Sequence, residues 1–323
     1  MTAAAWTRLS SDAFTVAIFA YLGAMLASFH YLAFRRGAVY RVANAVAWFG
    51  LAAHVVSIVA RGYAAGRLPW GNLYEFSSIV GALIVGAELV IVEGVYRVKT
   101  VAGFVLAFVV LSMAGAALFL YVGPAPLVPA LNSYWRSIHV TAIMLASSLL
   151  LLGSILTILF LFKDRGERRR NAAGAGPDRA VAPIAGGAVD TTGVAAADPP
   201  HFIAGADEPV GSGAPRGGLL PSATTLDRLA YRTLAFAFPV WTFAVIAGAI
   251  WAQEAWGRYW GWDPKETWAF ITWVVFAGYL HARATAGWKG RRAAWIALAG
   301  FASLLVNFYV VNTFVVSLHT YAR

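Results

Sequence analysis

Apolar residues along this chain come in long runs separated by short polar breaks. The runs fall at 12–34, 42–62, 76–96, 100–121, 138–162, 230–252, 268–287 and 292–316. A helix needs ~20 apolar residues to cross a ~30 Å hydrocarbon core, and each run is about that long. The pattern predicts an all-α polytopic membrane helix bundle of about eight transmembrane helices. The first run is too long for the apolar part of a signal peptide and has no clear cleavage site, so it reads as a retained helix. Residues 163–228 break the rhythm. They begin KDRGERRR and continue in Ala, Gly, Pro and Asp with little apolar periodicity. Such a composition buries too little surface to offset chain entropy, and reads as a disordered cytoplasmic linker. The chain then divides into 1–162 with five helices, the linker 163–228, and 229–323 with three helices. No internal repeat is evident, and the two helical parts are expected to pack as one bundle.

Composition agrees with the hydropathy pattern. The 323 residues are 60% hydrophobic and 12% charged, with mean hydropathy +0.66. Soluble domains carry roughly twice that charged fraction. The net charge of +10 could suggest nucleic acid, but its placement does not. Arg35, Arg36 and Arg41 share one loop, Arg97 and Lys99 another, Lys163 to Arg170 a third, Lys289 to Arg292 a fourth. Every second loop is basic, which is the positive-inside pattern. The charge therefore marks topology. Lipid is the expected environment, with no nucleic-acid partner. Both termini then fall outside, with loops 63–75, 122–137 and 253–267. There is no cysteine, which excludes thiol–disulfide exchange and thiolate metal ligation by this chain.

The last of those outer loops concentrates the candidate chemistry. WGRYWGWDPKETW, residues 256–268, holds four tryptophans and a tyrosine. Asp263, Pro264 and Glu266 read as an N-cap, a first-turn proline and a capping-box glutamate, so a helix should start there. Trp256, Tyr259 and Trp260 have i, i+3, i+4 spacing, which predicts a short surface helix with one aromatic face. An interfacial aromatic belt would explain one or two tryptophans. A belt spreads around a bundle, however, whereas this loop is concentrated and punctuated by glycine. A flat aromatic platform suits a large planar ligand. Arg258 and Lys265 could meet acidic groups on that ligand, or simply face solvent.

The six histidines sort by depth. His201 lies in the linker, and His30 near the basic end of the first helix. No role is assigned to either. His139, in NSYWRSIHV, and His319, in VSLHTYAR, sit at the rim that carries the tryptophan loop. A lone rim histidine is usually solvated, but two beside an aromatic platform suggest paired axial ligands of haem iron. His54 and His281 each fall thirteen residues into their expected helices, roughly 20 Å deep. Ionisable side chains at that depth are costly and are functional candidates. They suggest a second bis-histidine site, although histidines hydrogen-bonded to neighbouring helices would look the same.

At this point the residues carry a resemblance. WGRYWGWDPKETWAFITW followed by LHAR resembles the tryptophan-rich WWD signature of haem-handling proteins in cytochrome c biogenesis. WGNLYEF at 70–76, YWRSIHV at 134–140 and SLHTYAR at the C-terminus agree with it. The best match is to the CcsA (ResC) family of the System II cytochrome c synthase, over essentially the whole chain except the linker. The related CcmC proteins are smaller and lack the transmembrane histidine pair, and the CcmF relatives are much larger.

The resemblance implies that His139 and His319 are external haem ligands and that His54 and His281 are transmembrane haem ligands. It implies a platform of Trp256, Trp260, Trp262 and Asp263. It further implies haem b as the transported substrate, delivered outward for thioether attachment to the CXXCH motif of apocytochrome c. A second membrane protein, CcsB (ResB), would be required. The expected location is the bacterial cytoplasmic or a thylakoid-type membrane, with the loop outside. Three other classes compete. A haem-b electron-transfer subunit would carry its ligands within helices and needs no open platform. A cofactor-free solute transporter would not explain the loop. A membrane glycosyltransferase would need an external diacidic metal site, which is missing.

Overall fold

A computed structural model describes residues 1–126, 133–174 and 219–315. Helix α1 (Ala3–Phe34) starts at Thr2, whose hydroxyl accepts from the Ala5 amide, and packs antiparallel on α2 (Gly37–Ala65). Gly66, in left-handed backbone, ends α2. Asn72 caps α3 (Leu73–Ala87), which continues as a π-helical segment, Glu88–Val95. α4 (Ala102–Phe119) follows, then α5 (Tyr134–Gly174), α6 (Ala223–Trp256), α7 (Pro264–Ala284) and α8 (Arg291–Leu305). α8 passes into a second π-helical segment, Val306–Val311, and one last turn, Asn312–Phe314. No strand occurs among the described residues.

Three antiparallel pairs, α1–α2, α5–α6 and α7–α8, make up most of the bundle, with α3 and α4 between them. α5 touches α3, α6 and α8, so the helices before and after the linker form one body. Close approach depends on small residues. A Cβ at Gly153 of α5 would lie 2.6 Å from Leu234 of α6. The outward faces are apolar: Phe19, Leu26, Phe49, Leu111, Leu118 and Phe236 are all exposed. Such a surface suits lipid.

The eight expected helices are present, but their boundaries move: α1 starts nine residues and α6 seven residues before its apolar run. Seven are long and apolar enough to cross a membrane. α7 is not among them, because its first turn carries Lys265 and Glu266 and its last turn His281 and Arg283. The expected end of the fifth helix at 162 is also wrong. α5 runs on through KDRGERRR to Gly174, where Lys163–Glu167 and Asp164–Arg168 pair one turn apart. Glu167 also accepts from the Ala223 amide at the start of α6. At the other end of the proposed linker, α6 begins at Ala223, so residues 223–228 are helix as well; residues 175–218, with His201, lie outside the described residues. Finally, α2 starts at Gly37 and α7 at Pro264, five and four residues earlier than the apolar runs suggest.

Candidate functional site

One end of the bundle, the end where α2, α4 and α6 finish and α3, α5 and α7 begin, holds an open-mouthed cavity. Its aromatic lining suits a planar organic ligand. Trp70, Trp251, Trp256, Tyr259 and Trp260 supply most of its aromatic wall, and Phe76 and Phe308 line it too. Polar groups in the wall are few: Arg136, His139, Lys265, Glu266, Asn307 and Asn312 among them.

The histidine is placed by two helices. Arg136, His139, Val140 and Ile143 follow i, i+3, i+4, i+7 spacing and put one face of α5 on the cavity. Opposite, α6 presents Ala244 and Gly248. The His139 Nδ1–H donates to the Ala244 carbonyl at 2.8 Å. A carbonyl only accepts, so Nδ1 carries a proton, and in the neutral ring Nε2 is the nitrogen with the lone pair. This is how ligating imidazoles are commonly oriented. Gly248 makes room, since a Cβ there would lie 2.7 Å from the imidazole Cε1 and Nδ1. The ring also runs nearly parallel to Trp251, at 17° and 6.0 Å between centroids.

The aromatic loop is built differently from expectation. α6 continues to Trp256 and stops at Gly257, at φ 71°, and residues 257–263 form no helix. Trp256, Tyr259 and Trp260 still line the cavity, but through the loop's path and not through helical spacing. Trp262 does not line it. Its backbone is left-handed at φ 58°, and its ring is exposed, edge-on to Trp260 and Phe270. Asp263 acts on the backbone, as its sequence context suggests. Its carboxylate accepts from the Lys265 amide at 3.1 Å, while Glu266 accepts from the amides of Asp263 and Gly261. The capping box therefore fixes where the loop ends and α7 begins.

Of the two cations in the loop region, only Lys265 faces the cavity. It donates to Asn312, in the last turn beyond α8, which lines the same cavity. Burial lowers its ammonium to about 8, and Asp263 partly offsets this. Lys265 precedes the apolar stretch of α7. Arg258 instead folds over Gly261, 3.9 Å from Glu266.

The rim loop at 66–72 is clamped from beneath. Glu75 is buried between Arg61 at 2.9 Å and Arg67 at 2.8 Å, and accepts from the Gly71 amide. Arg61 donates to the Val122 carbonyl and Arg67 to that of Ala125, which ties the following loop to the same centre. Trp70 and Asn72 of the cavity wall ride on this clamp.

The expected transmembrane pair is not brought together. His54 is fully buried among α1, α2 and α3, with Nε2 2.9 Å from the Ser78 hydroxyl and Nδ1 3.4 Å from the Tyr21 hydroxyl. Phe14 and Tyr21 pack edge-on against its ring. His281 lies in the last turn of α7, exposed, beside Thr285. α2 packs on α1 and α3, whereas α7 packs on α6 and α8. The matched depths expected for the pair depended on the helix lengths. Measured from Ala65 and Pro264, His54 is roughly 16 Å and His281 roughly 26 Å along its helix. His30 is exposed against Phe34, and His319 lies outside the described residues.

Sequence reasoning missed Gly248, Ala244, Arg136 and Trp251. Arg136 was legible, lying one turn before His139 on a shared face. The two small residues of α6 gave no signal, because a small residue in a membrane helix is ordinary.

Comparison with known proteins adds a family. The model of a family described as Cytochrome C assembly protein matches residues 70–319. It takes in the cavity wall, His139, His281 and the tryptophan loop, and begins after α2. Cytochrome c biogenesis protein CcsA of Gloeobacter violaceus is 37% identical over 281 residues, covering 82% of this chain and 81% of its own. The protein of that name from Gloeothece citriformis is 40% identical over 277 residues, 81% of each chain. That from Synechococcus elongatus is 45% identical over 199 residues, 61% of this chain and 60% of its own. Among solved structures, Cytochrome c Heme Lyase CcmF superposes with a TM-score of 0.61 at 15% identity. The superposition covers 96% of this chain and 47% of that one, and is a likeness of fold.

Proposed function

Because this chain belongs to the CcsA family of cytochrome c assembly proteins, we propose that its tryptophan-lined cavity holds haem and presents it for attachment to apocytochrome c. The chain is an integral membrane protein of cytochrome c biogenesis. The reading rests above all on one observation: a cavity-facing imidazole whose Nδ1–H is fixed by the Ala244 carbonyl, in a wall of tryptophans.

Haem b is the substrate here. His139 Nε2 supplies one axial ligand and His319 the other. Trp256 and Trp260 flank the macrocycle, while Trp262 braces Trp260 from outside and Asp263 holds the loop through its capping box. Arg136 and Lys265 offer positive charge to the two haem carboxylates. The chemistry that follows is addition of two substrate thiols, from CXXCH, across the haem vinyl groups. This chain contributes proximity and orientation. The cysteines belong to the apocytochrome, in keeping with a chain that has none. Access by apocytochrome places the cavity end on the outer side of the membrane.

His281 serves a separate haem position. Its imidazole opens on the outside of the bundle, where a second chain must cover it, and the CcsB (ResB) partner supplies the opposing ligand. His54 is a packing residue in this reading.

The test is covalent haem attachment to a CXXCH reporter cytochrome, measured by haem staining in cells co-expressing this chain and its CcsB partner. His139→Ala should abolish attachment, and His54→Gln should retain it. Attachment that survives His139→Ala at wild-type level would overturn the proposal.

A further inference from the structure

A second polar centre lies far from the cavity, at the opposite, basic end of the bundle. There α3 changes from α to π winding at Glu88. The π ladder links residues five apart, and Glu88 and Glu93 are five apart. Both carboxyls are buried, at 1% and 7% exposure, and they interact electrostatically. Their surroundings differ. Glu93 Oε2 accepts from the Tyr40 hydroxyl at 3.1 Å and from the Asn44 amide at 2.5 Å. Glu88 Oε1 is sealed from solvent and has no hydrogen-bond partner among the described residues.

The charged and titratable groups facing this pair come from three elements. α2 contributes Tyr40, and α1 contributes Tyr31, 5.3 Å from the Tyr40 ring. The loop before α4 contributes Lys99, whose ammonium sits 4.4 Å from the centre of the Tyr40 ring and acts on Glu93. One cation thus serves two carboxyls. An unpaired carboxylate at this burial costs several kcal/mol, so only one of the two is expected to stay ionised. Like charges sharing a site behave this way. π-helical turns inside α-helices often mark functional positions, and ionisable groups at membrane depth do so by default.

We propose that Glu88 and Glu93 form a proton-binding site in which the pair holds one exchangeable proton, carried on Glu88. Glu93 stays ionised, held by Tyr40, Asn44 and Lys99. The Tyr40–Lys99 contact leads from the pair to the basic end, which is the route of exchange. The site uses no residue of the haem cavity, so its test stands apart from that reading.

The experiment is infrared absorption of the purified full-length protein at neutral pH, in H2O and in D2O. The wild type should show the C=O stretch of a buried protonated carboxyl, lowered in frequency by D2O. Glu88→Gln should lose that band, and Glu93→Gln should keep it at a shifted frequency. Asp12→Asn, at an exposed position of α1, should leave it unchanged. Glutamine matches a neutral glutamate in shape, and a melting curve checks that each variant is folded. Should Glu88→Gln fold poorly, the shift in Glu93→Gln decides the matter. A wild type without the band, a band untouched by both substitutions, or a band that vanishes on adding sodium would overturn the proposal.

Discussion

Replacing Gly248 with alanine probes the way His139 is held. The added Cβ would lie 2.7 Å from the imidazole Cε1 and Nδ1, 0.7 Å inside ordinary contact at 3.4 Å. Backbone of α6 fixes the new methyl, so the ring has to retreat. A retreat of that size, taken along the bond, stretches the 2.8 Å contact with the Ala244 carbonyl to about 3.5 Å, the edge of a hydrogen bond. Overpacking of this kind costs about 1–3 kcal/mol of stability. Loss of an orienting partner behind a metal-ligating histidine lowers metal affinity roughly 10–100-fold. The assay is haem titration of the purified protein by absorption, read for both affinity and axial ligation, beside a melting curve. Gly115→Ala is the control, since nothing lies within 4 Å of a Cβ there. Unchanged haem affinity and an unchanged spectrum in Gly248→Ala would refute the idea that α6 orients the ligand.

Four further outcomes follow from the same geometry. Glu75→Ala leaves Arg61 buried without its counter-ion and should cost about 3–5 kcal/mol in thermal or denaturant unfolding, whereas Asp12→Ala, on the exposed face of α1, should cost under ~0.5 kcal/mol. Asp263→Ala removes the N-cap of α7 and should lower stability by about 1 kcal/mol, with Asp263→Asn restoring most of it. Lys265, held at about 8, has released its proton in the folded chain between about pH 8 and 10 while the unfolded chain still carries one, so wild-type stability should rise with pH over that window and stability of Lys265→Met should not. His54→Ala strands the Tyr21 and Ser78 hydroxyls and should destabilise measurably, while haem bound per folded protein stays at the wild-type level.

Much of the architecture was legible because the membrane limits the choices: long apolar runs with basic breaks have few solutions besides a helix bundle. Local chemistry was legible where it stays local. Asp263, Pro264 and Glu266 specify the start of α7, and the structure places a capping box there. What failed was whatever depended on where an apolar run stops. Polar residues can extend a helix past its apolar part, as KDRGERRR does through i, i+4 ion pairs, and as Lys265 and Glu266 do in the first turn of α7. Measured from the same end of the bundle, His281 lies roughly 26 Å in and His54 roughly 16 Å, so the two do not match in depth. Trp262 shows the other limit. Its place in WGWDP resembles that of its neighbours, yet one left-handed backbone angle turns its ring away from the cavity. The Arg61–Glu75–Arg67 clamp and the Ala244–Gly248 face are tertiary pairings that single-sequence patterns do not carry.

The most direct test of the account is the absorption spectrum of the protein purified with its CcsB partner, comparing wild type with His139→Gly before and after imidazole is added. A haem spectrum with histidine ligation in the wild type, altered in His139→Gly and restored by imidazole, is the predicted result. A spectrum that is the same in both proteins, or a wild type that carries no haem, would contradict the claim that this cavity binds haem through His139.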